Sequence, residues 1–66
     1  VFGENLSVWL REARMRRAAE LLRDTDLRVA EIAEQVGYEN QSKFAAVFAK
    51  QFGCPPLEYR RRARLD

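Results

Sequence analysis

The segment from residue 29 to 53 constrains this chain more than any other, because it has the pattern of two short helices joined by a glycine. Its sequence is VAEIAEQVGYENQSKFAAVFAKQFG. Apolar residues recur at three- and four-residue steps on both sides of Gly37, which is the spacing of one helix face. Gly37 can take the left-handed backbone that often ends a helix, and Asn40 can cap the next helix. The pattern predicts helices over about 29–36 and 41–52, which together form a helix-turn-helix.

The second helix of this pair has two different faces. Its large apolar residues share one face and are expected in the core; they are Phe44, Val47, Phe48 and Phe52. The opposite side has only small, polar or basic residues, so it is narrow enough to enter a groove of DNA. Periodicity alone also fits any small helical domain that does not bind DNA. The Phe stripe belongs to the core whether or not the helix binds DNA, so it does not distinguish the two interpretations.

Further helices are predicted on both sides of this pair. Residues 6–23 carry a broad apolar stripe behind a possible N-cap, Asn5, and residues 56–64 begin with a proline, which favours a first helical turn. The stripe comprises Leu6, Trp9, Leu10, Ala13, Ala18, Leu21 and Leu22. We therefore predict an all-α fold, a small bundle of four helices in a single domain over 1–66. If Trp9 is buried it belongs to the core, and if it is exposed it indicates a docking patch.

The composition fits one small globular domain. The chain has 66 residues, of which 47% are hydrophobic and 33% charged, with one cysteine and no histidine. A lone Cys54 excludes an internal disulfide and is expected to be a packing residue in a reducing cytoplasm. Glu31 and Glu34 form the only close carboxylate pair on one helix, on a solvent face. We therefore expect no enzyme, no cofactor, no metal site and no membrane partner.

The net charge of +2 is distributed unevenly. Residues 24–39 carry −4, whereas residues 1–23 carry +2 and residues 40–66 carry +4. DNA binding predicts an acidic first helix and a basic second one, since only the second faces phosphates, although a solvated surface could show the same order. The densest basic cluster, in residues 60–64, is either a frayed, solvated end or a phosphate clamp.

Residues 2–15 resemble residues 52–65, fifty positions later. Both segments have the pattern of a helix end, a glycine turn and the start of another helix, which indicates duplication. We therefore predict that residues 1–5 are the remnant of a preceding helix-turn-helix and that residues 6–25 are a linking helix. Because the chain begins with Val rather than Met, we expect it to be part of a longer protein.

Three stretches, in order, resemble the AraC/XylS family of bacterial transcription regulators. They are RMRRAAELL at 14–22, VAEIAEQVGYENQSKF at 29–44 and FAKQFGCPPLEYR at 48–60. The DNA-binding region of this family has two helix-turn-helix units joined by a long helix. The resemblance implies that this chain contains the linking helix, the second unit over 29–52, and a closing helix with a basic C-terminus over 55–66. The first unit and an effector domain are then expected elsewhere in the full-length protein.

The resemblance also implies which residues meet double-stranded DNA. The residues expected to contact bases are Gln41, Ser42, Lys43, Ala45 and Ala46. The residues expected to contact the DNA backbone are Arg28, Asn40, Lys50, Arg60 and Arg61. Arg14 matches a family arginine on the linking helix and is expected to bridge to the packed unit rather than to read bases.

The sequence departs from the family pattern at three positions. Arg28 stands where Ser or Thr commonly caps the helix, and losing that cap would cost roughly 1 kcal/mol. Ala46 stands where members often have a polar residue or arginine, and Pro55 takes the usual capping position of the last helix. The alternative function is a helical protein-interaction module that docks on RNA polymerase or on a partner domain.

Overall fold

The computed structural model describes residues 2–65, with side chains described from residue 7 to 65. Its helices are α1 (Phe2–Asp24), α2 (Val29–Gln35), α3 (Gln41–Phe52) and α4 (Pro56–Ala63). No strand occurs within residues 2–65. The predicted all-α fold is confirmed, and every helix boundary except the start of α1 agrees with the prediction to within one residue.

The start of α1 differs from the prediction. The helix is continuous from Phe2, so Gly3 and Asn5 lie inside it. The expected glycine turn and the Asn5 N-cap are therefore wrong. One glycine inside a helix costs about 1 kcal/mol relative to alanine, which a helix of 23 residues can absorb. The likeness to residues 52–65 thus does not extend to the backbone, because Gly53 ends α3 with a φ of 79°. Val1, part of the predicted remnant, lies outside the described residues.

The core lies between the C-terminal half of α1 and the other three helices. Its fully buried large side chains are Met15, Leu22, Ile32, Phe44 and Phe48. Cys54 is also buried, as expected of a packing residue. Among the described side chains, none that is polar or charged is buried. The bundle is therefore held by apolar contacts, which contribute about 25 cal/mol for each Å² removed from water.

The N-terminal half of α1 extends beyond this core. Val8 is 48% exposed, Trp9 57% and Leu10 41%, so the predicted apolar stripe is buried only from Ala18 onward, and the core also takes in Met15. The side chain of Leu6 lies outside the described set. At 1.5 Å per residue a helix of 23 residues is about 34 Å long, whereas the molecule measures 40 by 24 by 17 Å. The three shorter helices cannot cover the full length of α1.

The N-terminus of α2 compensates in part for its unusual cap. The side chain of Arg28 makes no capping hydrogen bond. Instead, the backbone N–H of Arg28 donates to the Glu31 carboxylate at 2.9 Å, which is one half of a capping box. The predicted cost of the missing Ser or Thr is therefore partly offset. At α4 the cap position is held by Pro55, as predicted, again without a side-chain bond.

No described helix combines the length and the apolar character that a bilayer crossing requires.

Candidate nucleic-acid interface

The turn between α2 and α3 is closed by backbone hydrogen bonds and by one side-chain cap. Gly37 has a φ of 91°, a left-handed conformation that a residue with a Cβ adopts only with strain. The N–H of Tyr38 donates to the carbonyl of Ala33 at 2.8 Å and so ends α2. Asn40 Oδ1 accepts the N–H of Lys43 at 3.0 Å and so starts α3. The sequence predicted both the glycine turn and the asparagine cap.

The back of α3 is anchored by a ladder of aromatic rings. Phe44 and Phe48 are fully buried. The ring centroids of Tyr38 and Phe44 lie 5.8 Å apart, those of Phe48 and Phe52 4.5 Å, and those of Phe48 and Tyr59 5.4 Å. Such contacts add about 0.5–1.5 kcal/mol per pair to the burial energy. They fix the rotation of α3 about its own axis and thereby decide which residues it presents outward.

The front of α3 presents most of the residues predicted to contact bases. Gln41, Ser42, Lys43 and Ala46 are exposed, and Ala45 is half-buried. No large apolar side chain stands on this front, and its middle is formed by the small residues Ser42 and Ala46. α1 does not cover it.

The residues predicted to contact the DNA backbone fall into different groups. Arg28, Lys50 and Arg61 are exposed, and within residues 7–65 none of them forms an ion pair. Asn40 is exposed, and its carbonyl oxygen is used by the cap of α3. Its amide N–H groups remain donors.

Arg60 has a different environment, which sequence reasoning missed. Its Nε donates to the carbonyl of Leu22 at 2.9 Å, and its Nη2 donates to the carbonyls of Thr25 at 3.1 Å and Leu27 at 2.5 Å. The side chain is part-buried against the end of α1. A phosphate contact would require these bonds to be given up, so we leave Arg60 out of the proposed interface. The acceptors lie 33 to 38 residues away in sequence, and no local pattern reveals them.

The rest of the basic cluster on α4 is also largely engaged. Arg64 donates to Asp26 Oδ1 at 2.8 Å and to the carbonyl of Thr25 at 2.6 Å, and Arg62 pairs with Glu58. The hydrogen bond from Arg64 and its positive charge lower the pKa of the Asp26 carboxyl. Most arginines of the predicted phosphate clamp are therefore bonded to other groups of the protein.

Arg14 lies against the turn, where the predicted bridge from the linking helix to the packed unit would place it. Its guanidinium carbon lies 3.7 Å from the point that a Cβ on Gly37 would occupy. The contact joins α1 to the turn between α2 and α3.

Comparisons with known proteins agree with this geometry. A family model described as "Helix-turn-helix domain" matches residues 1–62. The chain is 46% identical over 57 residues to the HTH-type transcriptional activator RhaR of Mannheimia succiniciproducens, covering 86% of this chain and 21% of that protein. It is 38% identical over 60 residues to RhaR of Yersinia pseudotuberculosis, covering 91% of this chain and 21% of that protein.

A solved structure is also similar. It is the crystal structure of the C-terminal domain of the two-component response regulator yesN from Fusobacterium nucleatum, with a TM-score of 0.80 and 41% identity over 82% of this chain and 52% of that one. The chain thus spans about a fifth of the curated relatives and about half of the solved domain.

The chain belongs to the AraC-type helix-turn-helix family of DNA-binding domains in transcription regulators. This confirms the family predicted from the three sequence stretches. The curated relatives are named as bacterial transcriptional activators.

Proposed function

We propose that this chain is the DNA-binding part of a bacterial transcription regulator and that α3 lies in the major groove of its operator. The observation that carries the proposal is the contrast between the two sides of α3. Its back is locked by buried Phe44 and Phe48, whereas its front is exposed and slim. A rigid helix with a narrow front fits a major groove about 12 Å wide.

The front of α3 offers few groups that can distinguish bases. The Gln41 side chain can make a bidentate contact with adenine, Lys43 can donate to guanine, and Ser42 can pair with several bases. Ala45 and Ala46 offer only methyl groups, which suit the methyl group of thymine. We propose that Gln41 and Lys43 carry most of the sequence preference.

Phosphate contacts position such a helix without specifying sequence. The exposed side chains of Arg28, Lys50 and Arg61 supply positive charge for them. The amide of Asn40 stands at the N-terminus of α3, where free backbone N–H groups and the helix dipole favour an anion. We propose these four residues as backbone contacts.

The replacement Gln41→Ala tests the base contact. On a duplex that the wild-type chain selects from a random pool, we expect binding weaker by about 1–3 kcal/mol and a loss of preference at one base pair. Titrations on the selected duplex and on its single-base variants measure both effects.

The matched control is Gln35→Ala, which removes an exposed glutamine from α2 instead. An unchanged affinity and base preference in Gln41→Ala would remove Gln41 from the interface. A wild-type chain that enriches no duplex from the pool would refute DNA binding by α3.

The exposed N-terminal half of α1 indicates a further protein contact. Val8, Trp9 and Leu10 lie outside the core, and the match to this chain covers only 52% of the solved relative. We propose that the full-length protein carries a first helix-turn-helix unit that packs on α1 around Trp9, with an effector domain elsewhere. RNA polymerase is a second protein partner that we propose for the full-length regulator. Because such a regulator must reach the chromosome, we propose the cytoplasm as its location.

A further inference from the structure

A groove lies between the N-terminal half of α1 and the side of α3. What we infer from it rests on the proposed function. At about 100° per residue, the buried residues Met15, Ala18 and Leu22 lie within about 60° of one another on α1. Arg11 lies on the same face, one turn closer to the N-terminus. An arginine therefore points over α3 at the place where an apolar residue would extend the core.

The groove beneath Arg11 is lined with positive charge. Arg11 and Arg14 line it from α1, and Lys43 and Lys50 line it from α3, on either side of Val47. Within residues 7–65 none of these four cations is paired with a carboxylate. By contrast, Arg17, Arg23, Arg62 and Arg64 each have an acidic partner. Glu12 is the only acidic side chain among the described residues that line the groove.

The groove lies beside the face that we propose to read DNA. On α3, Lys50 is about 40° from the exposed midline at Ala46, on the side of Val47 and therefore toward α1. When a helix lies in the major groove, the phosphates of each strand run along its two sides. The strand on the α1 side would meet Lys50 first and Arg11 immediately beyond it.

We propose that this groove binds the sugar-phosphate backbone of the operator, with Lys50 of α3 and Arg11 of α1 each neutralising one of two successive phosphates. The linking helix then takes part in DNA binding directly, in addition to joining two units. Arg14, which lies over Gly37, would add its charge to the same strand.

The test compares Arg11→Ala with Arg16→Ala, which removes the same charge from another face of α1. Arg16 is exposed and, within the described residues, forms no ion pair. On the selected duplex, the slope of log K against log salt between about 50 and 200 mM measures the number of phosphates neutralised. For Arg11→Ala we expect the slope to fall by about 0.9 and the affinity by about fivefold at 0.15 M salt, equally on all sequences.

Arg11→Lys should keep most of the wild-type slope, because it keeps the charge, and circular dichroism should show the same helix content in all variants. If Arg11→Ala has the same slope as Arg16→Ala, the groove is no phosphate site, and it is then available to the preceding protein segment instead. That outcome leaves the base preference of Gln41 intact, so it is distinguishable from a failure of the proposed function. A wild-type chain that selects no duplex would overturn both.

Discussion

The basic end of α4 and the groove between α1 and α3 both contain arginine or lysine side chains. Only those on α4 form hydrogen bonds or ion pairs with other parts of the described protein. Arg60 and Arg64 form five hydrogen bonds of 3.1 Å or less to the end of α1 and the loop that follows it. Arg11 and Lys50 have no such partners within residues 7–65. In this protein, basic side chains that lie together in sequence are therefore free to meet phosphate only where no internal acceptor already binds them.

The end of α1 explains why α4 uses its arginines in this way. The last four carbonyls of a helix have no partner within the helix, and the helix dipole places partial negative charge there. Arg60 reaches the carbonyl of Leu22, in the last turn of α1, and both arginines reach Thr25 just after it. α4 thus caps α1 from a distance of more than 30 residues in sequence and fixes the loop that leads into α2.

The largest expected effect in this comparison is that of Arg60→Ala on stability. Hydrogen bonds to charged groups contribute about 1.5–3 kcal/mol each, and the three bonds of one guanidinium are not independent. We expect the free energy of unfolding to fall by about 2–4 kcal/mol in urea titrations. This is a large part of the stability of a domain of this size, roughly 3–10 kcal/mol.

Arg61→Ala is the control for Arg60→Ala, because it removes the exposed neighbouring charge. A surface change of this kind is expected to stay within about 0.5 kcal/mol. Equal losses of stability in the two variants would mean that the bonds of Arg60 to α1 do not stabilise the bundle, and the contrast between the two basic regions would disappear.

Lys50→Ala is expected to show the opposite behaviour. Unfolding in urea should be within about 0.5 kcal/mol of wild type, because the side chain is exposed. Affinity for DNA should fall by about fivefold at 0.15 M salt, with a salt slope smaller by about 0.9. Filter binding or fluorescence anisotropy at several salt concentrations measures the slope, and Arg16→Ala again serves as the control. A full wild-type slope in Lys50→Ala would show that the exposed cations of α3 do not reach phosphate.

The smallest effect concerns the ion pair of Arg64 with Asp26. Because Arg64 lowers the pKa of the Asp26 carboxyl, the pair stabilises the fold above the usual carboxyl range, near pH 4. This contribution is lost as the pH falls through the lowered pKa, where Asp26 becomes protonated. The Asp26 side chain is 92% exposed, so solvent screening keeps the effect small.

Urea titrations of wild type and Asp26→Asn between about pH 7 and pH 2 measure this contribution. The wild type should be slightly more stable at neutral pH, and the difference should vanish in acid. Glu39→Gln is the control, since Glu39 is exposed and has no ion pair within the described residues. A difference that does not change with pH would show that Asp26 acts through something other than its charge.

The helix-turn-helix was predictable because its signals are local. The glycine at 37, the asparagine cap at 40 and the Phe spacing of α3 each determine the structure of their immediate neighbours. Their effects appear in the φ of Gly37, the cap bond to Lys43 and the burial of Phe44 and Phe48.

Two features of α1 were predicted less well. The predicted turn at Gly3 does not form, because a single glycine does not outweigh the helical tendency of its neighbours. The stripe through Trp9 and Leu10 has the spacing of a buried face, but only contact with the other helices buries it, and that contact begins at Met15.

By itself the sequence determined the family, the four helices and the face of α3 that packs inward, because periodicity and capping act over a few residues. Only the tertiary structure decided which basic side chains are available. Arg60 and Arg61 are adjacent and chemically identical, yet one faces the open carbonyls at the end of α1 and the other faces solvent. That difference depends on how α4 packs against a helix more than thirty residues away, and no local pattern in the chain encodes it.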